Sequence, residues 1–262
     1  MLSTSRSVLR PDARLAFGRF LANLPGRVQV ALLPLSGGRE TILGGDAPAH
    51  GWSTTKVAVL VALLRARGAG GLTSSQRDLA ALAITESDNQ AILDLFYDLE
   101  SMKGGLVGAS EYVQDGLRAA GDDRTMVATA PPPPGGAVTT FGQTEWAPGQ
   151  AVKFFRALAL GDLLPPGQTA YVLQLMEHIV PSESWGLGSG GFTVPVAFKG
   201  GWGPEPTGSY LVRQSGIIDP GSPRGLVVSI VAHPPGGAAS FAVGTEMLTS
   251  TARWLHAELE PH

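Results

Sequence analysis

Ser53 and Lys56 stand three residues apart in the segment Gly51-Trp-Ser-Thr-Thr-Lys56. A serine hydroxyl is a weak nucleophile and needs a neighbouring base. Residues three apart on a helix share a face, so the Lys56 amine is within reach of Ser53. A lysine buried among apolar side chains loses hydration, and its pKa falls by as much as about 3–5 units. Such an amine can take the serine proton, and the unpaired N–H groups at a helix N-terminus can hold a developing oxyanion. Ser87-Asp88-Asn89 supplies a hydroxyl able to relay a proton and a carboxamide able to hold a substrate amide, with Asp88 expected to orient the loop. Lys199-Gly200-Gly201 supplies a cation for a substrate carboxylate, and its glycines let a substrate backbone approach a strand edge. Each pattern alone has a simpler explanation: an N-cap serine with a solvated lysine, a helix cap, or a strand ending in a turn with an exposed lysine.

The elements that must carry these residues follow from periodicity and turn chemistry. Phe17, Phe20, Leu21 and Leu24 repeat with helical spacing, so residues 12–24 read as a helix closed by Pro25-Gly26. Residues 28–35 and 40–43, joined through Gly37-Gly38, read as a hairpin. Residues 54–67 are apolar on nearly every side, which predicts a buried helix directly after Ser53. Further helices are expected at 74–84, 90–99, 111–120, 148–160 and 167–179, with a polar break at 85–89. The tetraproline tract Ala130–Gly136 can be neither helix nor central strand and reads as a surface loop. After the glycine-rich residues 186–191 come expected strands at 192–199, 209–218 and 225–232, and a final helix at 242–259. The pattern predicts an α/β (α+β) fold in one domain spanning 1–262, with residues 1–11 as a flexible start. Residues 12–50 and 186–262 would form a five-stranded antiparallel sheet flanked by the first and last helices, and 51–185 a helical half. A ligand cleft is expected at the seam between the halves.

Composition narrows the chemistry. The chain has 262 residues, 19 Lys and Arg against 22 Asp and Glu, and no cysteine. Scattered cations at a net charge of −3 argue against nucleic-acid binding. The lack of cysteine excludes disulfides, thiolate metal sites and a cysteine nucleophile. The five histidines are dispersed and form no metal-ligand pair, so neither metal nor cofactor is expected. The longest strongly apolar run, 57–64, falls far short of the roughly 20 residues that span a bilayer. No secretory signal is visible at the N-terminus, so a cytoplasmic location is the expectation unless an export signal lies outside this chain.

SxxK, SDN and a Lys-x-Gly triplet in this order resemble the motif set of class A β-lactamases and penicillin-binding proteins. The surroundings add to the likeness. Trp52–Val57 resembles the family's nucleophile helix, Ala83–Ala91 its helix–SDN–helix segment, Lys199–Gly203 its KTG strand, and Ser215–Ile218 the strand that follows. The resemblance runs from about Asp12 to Leu259. It implies a β-lactamase/transpeptidase-like fold, with Ser53 as acylated nucleophile, Lys56 as its base and Ser87 as proton shuttle. Asn89 would hold the substrate side chain and Lys199 its carboxylate. The N–H groups of Ser53 and Trp202, beside Gly201, would form the oxyanion hole. Substrates would be D-Ala-D-Ala-like peptides, esters or, slowly, β-lactams; the alternative is a penicillin-binding protein with little turnover.

Three departures from the family stand out. No glutamate in an ExxLN-like pattern precedes the 148–160 helix; Glu145 is the nearest acid and is expected to cap that helix. Ser87 follows Ser53 by only 34 residues, which implies a reduced helical lobe and an open cleft. Gly200 replaces the family's Thr or Ser, which loses a carboxylate-binding hydroxyl. Arg213 is either a partial substitute for that hydroxyl or an exposed strand residue. Trp202 is expected to floor the substrate groove, Trp185 to pack in the core, and His50 to be a loop residue.

Overall fold

The structure, a computed structural model, describes residues 9–10, 12–132, 139–205, 208–236 and 240–259. Helix α1 (Ala13–Leu21) leads into strands β1 (Arg27–Pro34) and β2 (Thr41–Leu43). Helices α2 (Thr55–Arg67), α3 (Ser74–Thr85), α4 (Asn89–Lys103), α5 (Leu106–Ala119), α6 (Pro148–Leu160) and α7 (Pro166–Glu177) follow. Strands β3 (Val196–Pro204), β4 (Tyr210–Ile218) and β5 (Leu226–His233) and helix α8 (Ser240–Glu258) complete the order. The five strands form one antiparallel sheet in the order β2-β1-β5-β4-β3.

Strand periodicity divides the core. Along β1, Ala31 and Leu33 face the helices α2 to α7, whereas Val28, Val30 and Leu32 face α1 and α8. On the second side Trp254 lies 5.0 Å from Phe17 and stacks on Phe20 at 5.6 Å. On the first side α2 is buried continuously from Thr55 to Leu64, as an apolar surface all round requires. Each fully buried Val or Leu of α2 is worth about 1.5–3 kcal/mol, which fixes the helix that follows the candidate nucleophile. No helix among the described residues is long and apolar enough to cross a membrane.

Local signals set the helix ends. Thr73 and Gln76 form a reciprocal capping box that opens α3. Asp88 caps α4 by accepting from Ala91 N at 2.7 Å. Glu145 does not cap α6 as expected: the N-cap is Ala147, with Pro148 in the first turn, and the Glu145 backbone instead bridges His50. Helix α5 starts five residues before the expected 111, because Gly104 and Gly105, both at positive φ, make the reversal that ends α4 and admits α5. The tetraproline loop falls mostly at 133–136, outside the described residues.

The largest correction concerns β3. It spans 196–204 rather than 192–199, since Pro195 precedes its first residue and the ladder with β4 continues through Gly200, Gly201 and Gly203 to Pro204. Lys199 is therefore in mid-strand and fully buried, not an exposed residue at a strand end.

Candidate active site

Ser53 sits on a short 3₁₀ turn, Trp52–Thr54, that runs directly into α2. Trp52 has φ +47°, a left-handed conformation that is costly for a bulky residue and persists only where its surroundings enforce it. The enforcement is visible. Thr54 Oγ1 donates to Gly51 O, Thr55 Oγ1 donates to Trp52 O at 2.6 Å, and Gly51 N donates to Thr144 O at 2.7 Å. Strand β3 presses on the same turn. A Cβ at Gly201 would lie 2.7 Å from Ser53 N, and one at Gly203 would lie 2.2 Å from the Trp52 ring. Only glycine permits this approach.

The Ser87 loop meets α2 from the other side. Ser87 has φ +58° and Asp88 is held by its cap, so the loop turns its polar groups toward Lys56. Lys56 Nζ donates to Ser87 O, to Asp88 O at 3.1 Å and to Ser87 Oγ at 3.4 Å. Its hydrogen bonds thus go to the loop rather than to Ser53 Oγ. Burial is the main reason that the Lys56 pKa falls from 10.5 to about 7; the Lys199 charge adds to the fall, while Glu183 and Asp88 oppose it. Lys199 Nζ donates to Ser87 Oγ at 2.8 Å and lies 3.4 Å from Glu183 Oε2. Its pKa is brought down to about 8 by burial, against the opposing pull of Glu183. Neither lysine is solvated, as the simpler explanations required. Ser87 Oγ lies between two buried amines.

A cleft of about 180 Å³ opens over this group, lined by Trp52, Ser53, Ser87, Asn89, Thr139, Glu183 and Trp202. Asn89 is exposed at the start of α4. Trp202 borders the cleft, but its ring does not floor it. Strand alternation turns Lys199, Gly201 and Gly203 toward the nucleophile turn and Gly200 and Trp202 away from it. The Trp202 ring accordingly meets Trp185 edge-on at 5.9 Å and Phe241 at 5.0 Å. Trp185 is half-buried in that aromatic group rather than enclosed in the core, with its ring close against Gly200.

Arg213 is not an exposed strand residue. It is fully buried, and its Nη1 donates to Ala49 O and His50 O at 3.1 Å and to Trp146 O at 3.0 Å. Burial lowers its pKa to about 10, with Glu205 opposing, so it stays charged at neutral pH and ties down the chain that leads into the Ser53 turn. Two contributors were invisible to sequence reasoning. Glu183, in a Pro181–Glu183 turn, has no spacing signal that links it to Lys199. Glu205 lies 3.4 Å from His50 Nδ1 and accepts from Trp52 Nε1 at 3.3 Å, the latter a contact across 153 residues of sequence.

A family model described as the β-lactamase enzyme family matches residues 67–243, more than half of the chain. The chain belongs to that β-lactamase enzyme family. The matched segment holds Ser87, Asn89, Glu183 and Lys199, while Ser53 and Lys56 lie just before it. Solved structures extend the likeness across the fold. A β-lactamase from Burkholderia ambifaria is similar at 20% identity and TM-score 0.72, with 94% of this chain and 99% of that one covered. A structure described as PBP-A gives 18% identity and TM-score 0.70, covering 94% of this chain and 95% of that one. A putative class A β-lactamase from Rhodopseudomonas palustris gives 20% identity and TM-score 0.67, covering 93% and 98%. No curated protein sequence matches the chain. The five-stranded sheet with helices on both faces is the β-lactamase/transpeptidase-like α/β fold of the family.

Proposed function

We propose that this β-lactamase-family chain is a serine hydrolase or acyltransferase that forms an acyl-enzyme on Ser53. The observation that carries the reading is a serine hydroxyl, Ser87 Oγ, set between two buried amines, one of them with a pKa of about 7 and one helical turn from Ser53. With its pKa lowered to about 7 by burial, Lys56 can shed its proton near neutral pH and accept that of Ser53. Ser53 Oγ then bonds to the substrate carbonyl carbon, and the N–H groups of Ser53 and Trp202 hold the oxyanion. As the tetrahedral adduct collapses, the proton on Lys56 passes through Ser87 Oγ to the leaving nitrogen or oxygen, and Lys199 stabilises the negative charge that develops on Ser87. Asn89 holds the substrate amide at the rim. Water then attacks the ester carbon and gives a proton to the neutral Lys56, which passes it to Ser53 Oγ as the acid leaves, restoring the Ser53 hydroxyl and the neutral amine.

D-Ala-D-Ala-like peptides, esters and β-lactams all offer the acyl carbon this scheme needs. The sequence from Met126 to Thr144 has no acid to activate the deacylating water, so the acyl-enzyme should be long-lived. A second reading, a ligand-binding protein with little turnover, is favoured by the hydrogen bonds that hold Lys56 on the Ser87 loop rather than on Ser53. Intact-protein mass decides between them after incubation with benzylpenicillin or with 4-nitrophenyl phenylacetate. An adduct on the wild type and none on Ser53→Ala supports acyl transfer. No adduct with either reagent, together with ligand affinity retained in Ser53→Ala, supports the binding protein.

A further inference from the structure

Lys199 is the cation that the sequence offers for a substrate carboxylate, yet it does not line the cleft. It is fully buried, and the side chains between it and the opening are Ser87 and Glu183. Glu183 is the one charged residue among the cleft's lining residues, and its carboxylate lies 3.4 Å from Lys199 Nζ. Two neighbouring sources of anion binding are closed as well. At Gly200, where a hydroxyl would assist, a Cβ would come 2.7 Å from Trp185 Cη2, so the indole stands in that space. Arg213 is buried, with its Nη1 on three backbone carbonyls and its Nε and Nη2 unpartnered but shut off from the surface. An incoming carboxylate would therefore meet a carboxylate.

Resting on the acyl-transfer reading above, we propose that Glu183 is a specificity-determining residue. It fills the anion subsite of Lys199 from within the chain, so that the cleft selects neutral esters or amides and rejects acyl donors with a free carboxylate beside the scissile bond. Like charges a few ångströms apart in a partly desolvated cleft repel strongly enough for discrimination of tenfold or more.

The test uses one matched pair, 3-carboxyphenyl phenylacetate and 3-carbamoylphenyl phenylacetate, near-isosteric esters that differ in a single charge. For the wild type, kcat/KM for the neutral ester should exceed that for the acid by at least about tenfold. In Glu183→Gln, with folding checked by circular dichroism, that ratio should move at least about tenfold toward the acid. The same pair titrated into Ser53→Ala and into Ser53→Ala/Glu183→Gln should give the same displacement in affinity. The binding arm decides the proposal even if no ester turns over, and that failure alone would count against the acyl-transfer reading. An unchanged ratio in both arms, or equal losses for both ligands, overturns the assignment of Glu183.

Discussion

Replacing Lys56 by Met keeps the unbranched side chain, shorter by one atom, and removes its titration. In the folded chain Lys56 has a pKa of about 7 against 10.5 in the unfolded chain, with burial as the chief cause. Between those values the unfolded chain holds a proton that the folded chain has shed, so stability rises with pH throughout that window. One such proton is worth up to about 1.4 kcal/mol per pH unit. With these two pKa values, wild-type stability should rise by about 2 kcal/mol more than that of Lys56→Met between about pH 7.5 and about pH 9. The variant also loses hydrogen bonds to Ser87 O and Asp88 O, but that loss offsets both ends of the comparison and leaves the slope untouched. Urea unfolding followed by tryptophan fluorescence at the two pH values measures the difference directly. Parallel pH profiles for the two proteins would refute the claim that Lys56 is kept short of its proton by burial, and with it the argument for Lys56 as a base.

Acylation by the wild type should rise with pH around an inflection near 7, as Lys56 loses its proton, and fall above about 8, as Lys199 loses the charge that supports Ser87; stopped-flow pH profiles with the neutral ester report both limbs as values of the coupled pair. Lys199→Met removes a charge that lowers the Lys56 pKa, so the rising limb should move to higher pH; a limb that stays in place would contradict that coupling. Gly201→Ala sets a methyl group 2.7 Å from Ser53 N and should cost about 1–3 kcal/mol of stability and about 10²-fold or more in acylation rate, read by calorimetry and by mass kinetics. Arg213→Met leaves three buried carbonyls without their donor and should lower stability by about 1–3 kcal/mol for each that finds no other partner, read in denaturant titrations, whereas an exposed arginine would cost almost nothing.

Much of this was legible in the residues because short-range spacing encodes it. Ser53 and Lys56 lie one turn apart where the 3₁₀ turn runs into α2, and Asp88 sits where an N-cap belongs, so local rules place them. The unbroken apolar surface of residues 57–64 announces a buried helix in the same way. Strand β3 resisted reading because Gly200, Gly201 and Gly203 carry no side-chain pattern. Its extent is set by the ladder to β4 and by the nucleophile turn pressed against it, both of them tertiary facts. The side of the sheet taken by the Trp202 ring followed from that misplaced register. Arg213 shows the same limit in another form: an arginine in a strand reads as exposed or ligand-binding until the carbonyls of Ala49, His50 and Trp146 are known to converge on it. Glu183 and Lys199 are brought together by the path from α7 into β3, which no periodicity reports.

The sheet order leaves β3 at one border, where alternate backbone groups have no strand to pair with. Such a border is a template for another chain, and proteins commonly blunt it by covering it. Here the turn of Trp52, Ser53 and Thr54 is seated on the face of that border strand, over Gly201 and Gly203, and not along its edge. Among the described residues no backbone hydrogen bond joins the turn to that edge. The border beside Ser53 is therefore where the sheet stays open to an extended chain, a substrate backbone and a second copy alike.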